Sequence, residues 1–148
     1  MLMNVLIGCA LVVFTTFLHA AAMLIAFRAL MITRPEKWVK RSHWTRAAAT
    51  AALVLAMFIA AIVESLAWAA TYLALGAFTD AEEAIYFSTV TYTTLGFGDV
   101  VMASEWRLLS AFEAANGIIM FGWTTALIVA AVHRFYVSAE RDTVTKVE

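Results

Sequence analysis

Three long apolar runs constrain this chain more than any other feature. Val5–Phe27 contains no Asp, Glu, Lys or Arg, Ala47–Leu75 is interrupted only by Glu64, and the stretch from about Leu108 to Val132 carries Glu113 near its start. A helix crosses the hydrocarbon core of a bilayer with about 20 such residues. Hydrophobic residues make up 64% of the 148-residue chain and charged residues 14%, against about 45–50% and about 25% in soluble domains. A chain this short cannot hide so much apolar surface from water, and its composition is the opposite of a disordered one. A net charge of −1 leaves no basic footprint, so no nucleic-acid partner is expected. The single Cys9 excludes a disulfide framework or a cysteine-rich metal centre within one chain. The expected class is an all-α membrane protein with three transmembrane helices in a lipid bilayer.

Lysine and arginine set the expected orientation. The connection between the first two runs holds Arg34, Lys37, Lys40, Arg41 and Arg46, the segment before the third holds Arg107, and Arg134, Arg141 and Lys146 follow it. Basic loops stay on the cytoplasmic side. A multi-pass protein of the cell (inner or plasma) membrane is expected, with the N-terminus outside and the C-terminus in the cytoplasm. Trp38, Trp44 and Tyr136 fall where an inner interfacial belt belongs, and Trp106 where an outer one does. The first run lacks a basic leader and is long for a signal peptide, so a retained helix is expected.

Between the second and third runs, Gly76–Arg107 is too polar and too broken to span. Thr79-Asp80-Ala81-Glu82 has the form of a capping box, and Asp80, Glu82 and Glu83 suit the positive end of a helix dipole. A short helix from about Ala81 to Thr93 is expected. Gly96 and Gly98 then flank Phe97. Glycine reaches backbone angles closed to other residues, which lets successive carbonyls of an extended strand turn to one side. At membrane depth such a backbone is tolerated only where it is buried in protein or lines a watery path, and an ion that replaces water as the carbonyls' partner meets that condition.

Thr93-Thr94-Leu95-Gly96-Phe97-Gly98-Asp99 resembles the potassium-channel selectivity filter, whose usual form is T-x-G-[Y/F]-G-D. The resemblance extends from about Ala47 to His133. It implies a pore domain over 47–136, with an outer helix at 47–76, a pore helix at 80–93, the filter at 94–99 and an inner helix at 106–136. Around it lie an extra N-terminal helix (1–32), a basic loop (33–46) and a short tail (137–148). The resemblance implies a homotetramer, because one chain supplies one wall of an axial filter. It implies potassium sites at the carbonyls of Thr94, Leu95, Gly96 and Phe97, with the Thr94 hydroxyl closing the innermost site, Gly98 completing the filter, and Thr93, Asp99, Tyr86, Phe87 and Val90 supporting it. The chain departs from the family pattern in three places. Phe97 replaces the commoner tyrosine, Tyr86-Phe87 stands where many members carry tryptophan, and Val90 where some carry a glutamate that braces the filter aspartate. The rim is therefore expected to be held more by packing than by hydrogen bonds.

Gly117-Ile118-Ile119-Met120-Phe121-Gly122 is similar to the glycine-bearing centre of the family's inner helices, with Gly117 either a hinge or a packing notch. Ile118, Gly122, Ala126, Val129 and His133 share a face at helical spacing, which the resemblance makes the pore and gate face. His133 is either a pH-sensitive gate group or a solvated interfacial residue. Glu64 is expected to accept hydrogen bonds from Tyr92 or Thr91 and to form an intramembrane network with Glu113 and Asn116, as a tether or as a gating or proton-sensing group. Arg28 is expected to snorkel to the inner interface, and His19 to be a hydrogen-bonded packing residue. Asp80, Glu82, Glu83, Asp99 and Glu105 face one base, Arg107, in the outer segment. They would gather cations there, although helix capping accounts for three of them.

No span carries regularly spaced arginines, no catalytic constellation or nucleotide loop is present, and no cofactor beyond a permeating ion is called for. The expectation is a potassium-selective channel that is not an enzyme. Three alternatives stand beside it: a weakly selective monovalent cation channel, a haem-binding redox protein using His19 and His133, and a regulatory subunit that does not conduct alone.

Overall fold

A computed structural model describes residues 1–33 and 42–137. The described residues are all-α. Among the described residues, four helices occur in the order α1 (Leu2–Thr33), α2 (His43–Ala74), α3 (Ala81–Tyr92) and α4 (Arg107–Val132), and a π-helical turn, His133–Val137, follows α4. Three stretches, Leu2–Leu30, His43–Ala74 and Arg107–Tyr136, are long and apolar enough to cross a membrane, so the chain is a multi-pass membrane protein. Arg34, Lys37, Trp38, Lys40, Arg41, Arg141 and Lys146, which carry part of the orientation argument, lie outside the described residues, as does the tail beyond 137.

Helix boundaries follow local chemistry. α2 begins at His43, four residues before the start read from hydropathy, because Ser42 supplies a cap. Its Oγ accepts from the Trp44 amide at 3.3 Å and its carbonyl from the Arg46 amide at 3.3 Å, which draws Arg46 into the first turn. α2 ends at Ala74 and is closed by Gly76, whose φ is +71°. The Gly76 amide donates to the Leu73 carbonyl at 3.0 Å and the Ala77 amide to the Tyr72 carbonyl at 2.9 Å, the paired closure of a Schellman motif.

The chain forms two compact units. One comprises Met1–Ala20 with Ile59–Gly122. Its core gathers Trp68, Tyr72, Phe78, Phe87, Leu109 and Met120, with Ile7, Leu11 and Phe112 packed against them. The other comprises the described parts of Ala21–Phe58 and of the chain from Trp123 onward. Its core is Leu30, Ala49, Leu53, Ala131 and Phe135. There the Arg46 guanidinium lies 5.8 Å from the Tyr136 ring centre, and that of Arg134 5.8 Å from the Phe27 ring centre.

In the single chain only 11%, 28% and 22% of the most apolar windows of the three spans are buried. Phe17, Ile25, Phe58, Ile59 and Ile119 are among the large apolar side chains left exposed. Surface of this extent is stable only against lipid or other chains.

Candidate functional site

The site is built on α3 and the strand that leaves it. Asp80, not Thr79, caps the helix. Its backbone is extended (φ −103°, ψ 133°) and its Oδ1 accepts from the Glu83 amide at 2.9 Å. The cap thus sits one residue later than the Thr79–Glu82 box suggested, and aspartate is at least as good a cap as threonine. Glu82 and Glu83 occupy the first turn, where the helix dipole favours acids.

The other end of α3 closes as α2 does. The Thr94 amide donates to the Thr91 carbonyl at 2.9 Å and the Leu95 amide to the Val90 carbonyl at 3.0 Å. The Gly96 amide also reaches Val90 at 3.4 Å. The position that is Gly76 in α2 is here Thr94, with φ +61°, a left-handed backbone on a β-branched residue. Gly96 (φ +54°) and Gly98 (φ +80°) are left-handed too, so every second residue of 94–98 has positive φ. No atom lies within 4 Å of where a Cβ on Gly96 or Gly98 would stand. These glycines therefore serve backbone angle rather than space. Thr94, Leu95, Gly96, Phe97 and Gly98 are exposed in the single chain. While the amides of 94–96 bond back to α3, the carbonyls of Thr94, Leu95, Gly96 and Phe97 receive no hydrogen bond from any described residue.

Asp99 corrects one expectation. Its Oδ2 accepts from the Tyr86 hydroxyl at 2.6 Å, so the rim is tied by a hydrogen bond rather than held chiefly by packing. Tyr86 and Val90 stand one turn apart on one face of α3, and the long phenol reaches where the Val90 side chain cannot. The bond from Tyr86 holds the Asp99 carboxyl below the ordinary carboxylate range, and the same bond to Asp99 pushes the Tyr86 hydroxyl up. Phe87 points elsewhere, with its ring centre 5.7 Å from that of Tyr72 and 5.1 Å from that of Phe78. Val90 contributes its carbonyl to the strand. Its side chain lines, with Tyr86, Gly96, Asp99 and Arg107, a pocket of about 340 Å³ beside the strand. The Thr93 hydroxyl bonds back to the Thr89 carbonyl at 2.7 Å.

α4 packs against the end of α3 at Gly117. A Cβ there would stand 1.9 Å from the Tyr92 carbonyl oxygen, so of the two readings of Gly117 the packing notch has a direct structural cause. Gly122 faces open space. Ile118, Gly122, Ala126, Val129 and His133 are each exposed in the single chain. The π turn begins at His133, so α-helical spacing holds up to that residue and not beyond it.

Glu64, Glu113 and Asn116 each meet a buried side chain of another helix. Glu64 Oε1 lies 2.9 Å from His19 Nδ1, and its Oε2 accepts from the Tyr92 hydroxyl. Glu113 accepts from the Tyr72 hydroxyl at 2.5 Å and from the Ser88 hydroxyl. The Asn116 amide donates to Thr15 Oγ1 at 2.8 Å. Glu64 and Glu113 are fully enclosed, at 0% exposure. Thr91 contributes its backbone to the α3 closure, and it is Tyr92 that meets Glu64. His19 is a hydrogen-bonded packing residue, as expected, and its Nδ1 edge is taken up by Glu64.

Sequence reasoning gave the first helix no role. In the structure Asn4 donates to the Glu105 carbonyl, Gly8 lies against the Phe112 ring, Thr15 meets Asn116 and His19 meets Glu64. The signal was present: small and polar residues at 4, 8, 15 and 19 recur at helical spacing on one stripe of an otherwise apolar helix. Among the described residues, no group of three His, Cys, Asp or Glu side chains is placed to hold a metal ion.

A family model described as "Ion channel" matches residues 51–134, more than half of the chain. Comparison with curated proteins and with solved structures gives no match.

Proposed function

Because this chain belongs to the ion channel family, we propose that it conducts potassium ions passively through a homotetrameric pore in the membrane, with Thr94-Leu95-Gly96-Phe97-Gly98-Asp99 as the selectivity filter. One observation carries this reading. Left-handed backbone at Thr94, Gly96 and Gly98 accompanies amides bonded to α3 and carbonyls at 94–97 that no described residue satisfies. Carbonyls without a protein donor need water or a cation, and a dehydrated monovalent cation is matched by rings of such oxygens. Four symmetric copies would close those rings.

Thr94 fits the reading in a second way. A left-handed backbone costs a residue other than glycine about 1–2 kcal/mol, and glycine would make the same turn without it. A hydroxyl retained at a strained position supports a role at the innermost ion site. The exposed face of Ile118, Gly122, Ala126, Val129 and His133 would line the pore below, with His133 at its mouth. Every group in this account binds, orients or repels an ion. The chain's family is one of channels and not of enzymes.

The test is flux through the purified protein in liposomes. A potassium gradient against sodium is expected to give a reversal potential near that of potassium, and cross-linking in detergent to stop at four chains. Equal potassium and sodium permeability would instead make it a weakly selective cation channel. No flux from protein that assembles would favour a non-conducting subunit.

A further inference from the structure

We propose that the first helix is a working part of the pore, and that His19 is a positioning residue for the filter, acting through Glu64 and Tyr92. The inference rests on the reading of 94–99 as the filter and deepens it. Three buried side chains from three helices form the line. His19 of α1 meets one oxygen of Glu64 in α2 at 2.9 Å, and the other oxygen of Glu64 accepts from the hydroxyl of Tyr92, the last residue of α3. Their exposures are 1%, 0% and 1%, so all three are shielded from bulk solvent.

Tyr92 is where this line acts on the strand. It directly precedes the C-cap Thr93 and the left-handed Thr94, and three contacts fix it. Its hydroxyl is on Glu64, its ring centre lies 5.8 Å from that of Phe121, and its carbonyl sits against Gly117. The direction of the last turn of α3 sets where the Thr94 turn sends the strand, because the closing bonds run from Thr94 and Leu95 to Thr91 and Val90. Glu64 can hold Tyr92 only while its second oxygen is satisfied. With His19 gone, that oxygen is buried without its described partner, and a buried oxygen left unsatisfied is costly enough to turn the carboxyl toward another donor. That turn weakens its acceptance from Tyr92.

Adhesion of α1 does not need this arrangement. Asn4 on Glu105, Gly8 on Phe112 and Thr15 on Asn116 already fasten the helix, and helices in membranes associate through small residues and neutral hydrogen bonds. An acid and an imidazole at that depth are costly unless they serve a further purpose.

Potassium-over-sodium permeability, read from reversal potentials of the full chain in liposomes, tests this. His19→Leu is expected to lower the ratio at least about fivefold, the lower end of site-to-site coupling. His19→Asn, whose amide nitrogen takes the Nδ1 position, is expected to restore most of it. Tyr92→Phe is expected to reproduce the loss, and the double variant to be no worse than either single one, because both cut one line. Unchanged selectivity in His19→Leu, or losses that multiply in the double variant, would overturn the inference. If His19→Leu does not assemble, Tyr92→Phe decides: it keeps the ring against Phe121, and a wild-type ratio from it overturns the proposal. Absence of potassium flux from the unsubstituted protein would count against the filter reading instead.

Discussion

Two helices of this chain end in the same hydrogen-bonded closure and differ in the residue at its pivot. After α2 the pivot is Gly76 (φ +71°), and after α3 it is Thr94 (φ +61°). Both use an amide pair returning to carbonyls of the last turn. Gly76 opens a connection, and nothing lies within 4 Å of where its Cβ would be. Glycine is there for conformational ease. Thr94 makes the same turn against a steric cost of about 1–2 kcal/mol, and it begins the stretch whose carbonyls are left without protein donors. The difference separates a helix end made at no steric cost from one made against it.

Substitutions can break this contrast, and the largest effect is expected at Thr94. Thr94→Gly removes the strain and the hydroxyl together. Glycine's added chain entropy offsets about 0.4–1 kcal/mol of the relief, so the unfolding midpoint in detergent should hold or rise. Potassium-over-sodium selectivity should fall by at least about tenfold, equivalent to losing about 1.4 kcal/mol of discrimination. A stable variant with intact selectivity would remove the distinction between the two pivots.

Gly117→Ala comes next. Its Cβ would meet the Tyr92 carbonyl, so thermal unfolding should show a loss of about 1–3 kcal/mol as α4 is forced from the end of α3. Gly122→Ala, in open space, should instead gain up to about 1 kcal/mol from helix propensity. Equal outcomes at the two glycines would show that close approach to the Thr94 closure is not what Gly117 provides.

Gly76→Ala should cost about 1–2 kcal/mol for the left-handed backbone alone and leave the permeability ratio unchanged. A shift in reversal potential would mean that both pivots bear on the ion path.

The smallest effect concerns the far end of the strand. Asp99 has a depressed pKa, so its bond with Tyr86 contributes fully above the ordinary aspartate value of about 3.9 and is lost as pH falls through the depressed one. Tyr86 has a raised pKa, so the contribution is fully present below the ordinary tyrosine value of about 10 and is lost as pH rises through the raised one. Tyr86→Phe should move the acid limb attributable to Asp99 up toward about 3.9, read by carboxyl NMR titration. An acid limb that does not move would mean that the phenol leaves Asp99 untouched.

Much of the fold was legible because a bilayer imposes local rules. A helix is the only open-chain element that satisfies its own backbone in lipid, so apolar runs of sufficient length, broken by at most one acid each, named α1, α2 and α4. Acids at 80, 82 and 83 marked the start of α3, and the glycine pair marked its departure from helical geometry. The cap moved by one residue and the α2 start by four, since Asp80 and Ser42 compete with neighbours of similar capping strength. The contact between Glu64 and Tyr92 was anticipated from the cost of an acid in a span, while the partners of Glu113, Tyr72 and Ser88, were not. Tyr86 as the partner of Asp99 escaped notice because comparison of filter positions directs attention to Val90. The reach of a phenol across one helical turn depends on where the strand returns.

The order of residues fixed everything that depends on neighbours a few positions apart: the membrane class, the spans, the short helix and the backbone freedom at Gly96 and Gly98. Which acid meets which hydroxyl, why Gly117 must lack a side chain and which side chains of the other helices α1 meets were settled by packing. Those outcomes rest on ångström-scale separations between residues distant in the chain, such as His19 and Glu64 at 2.9 Å, and local periodicity carries no measure of such distances.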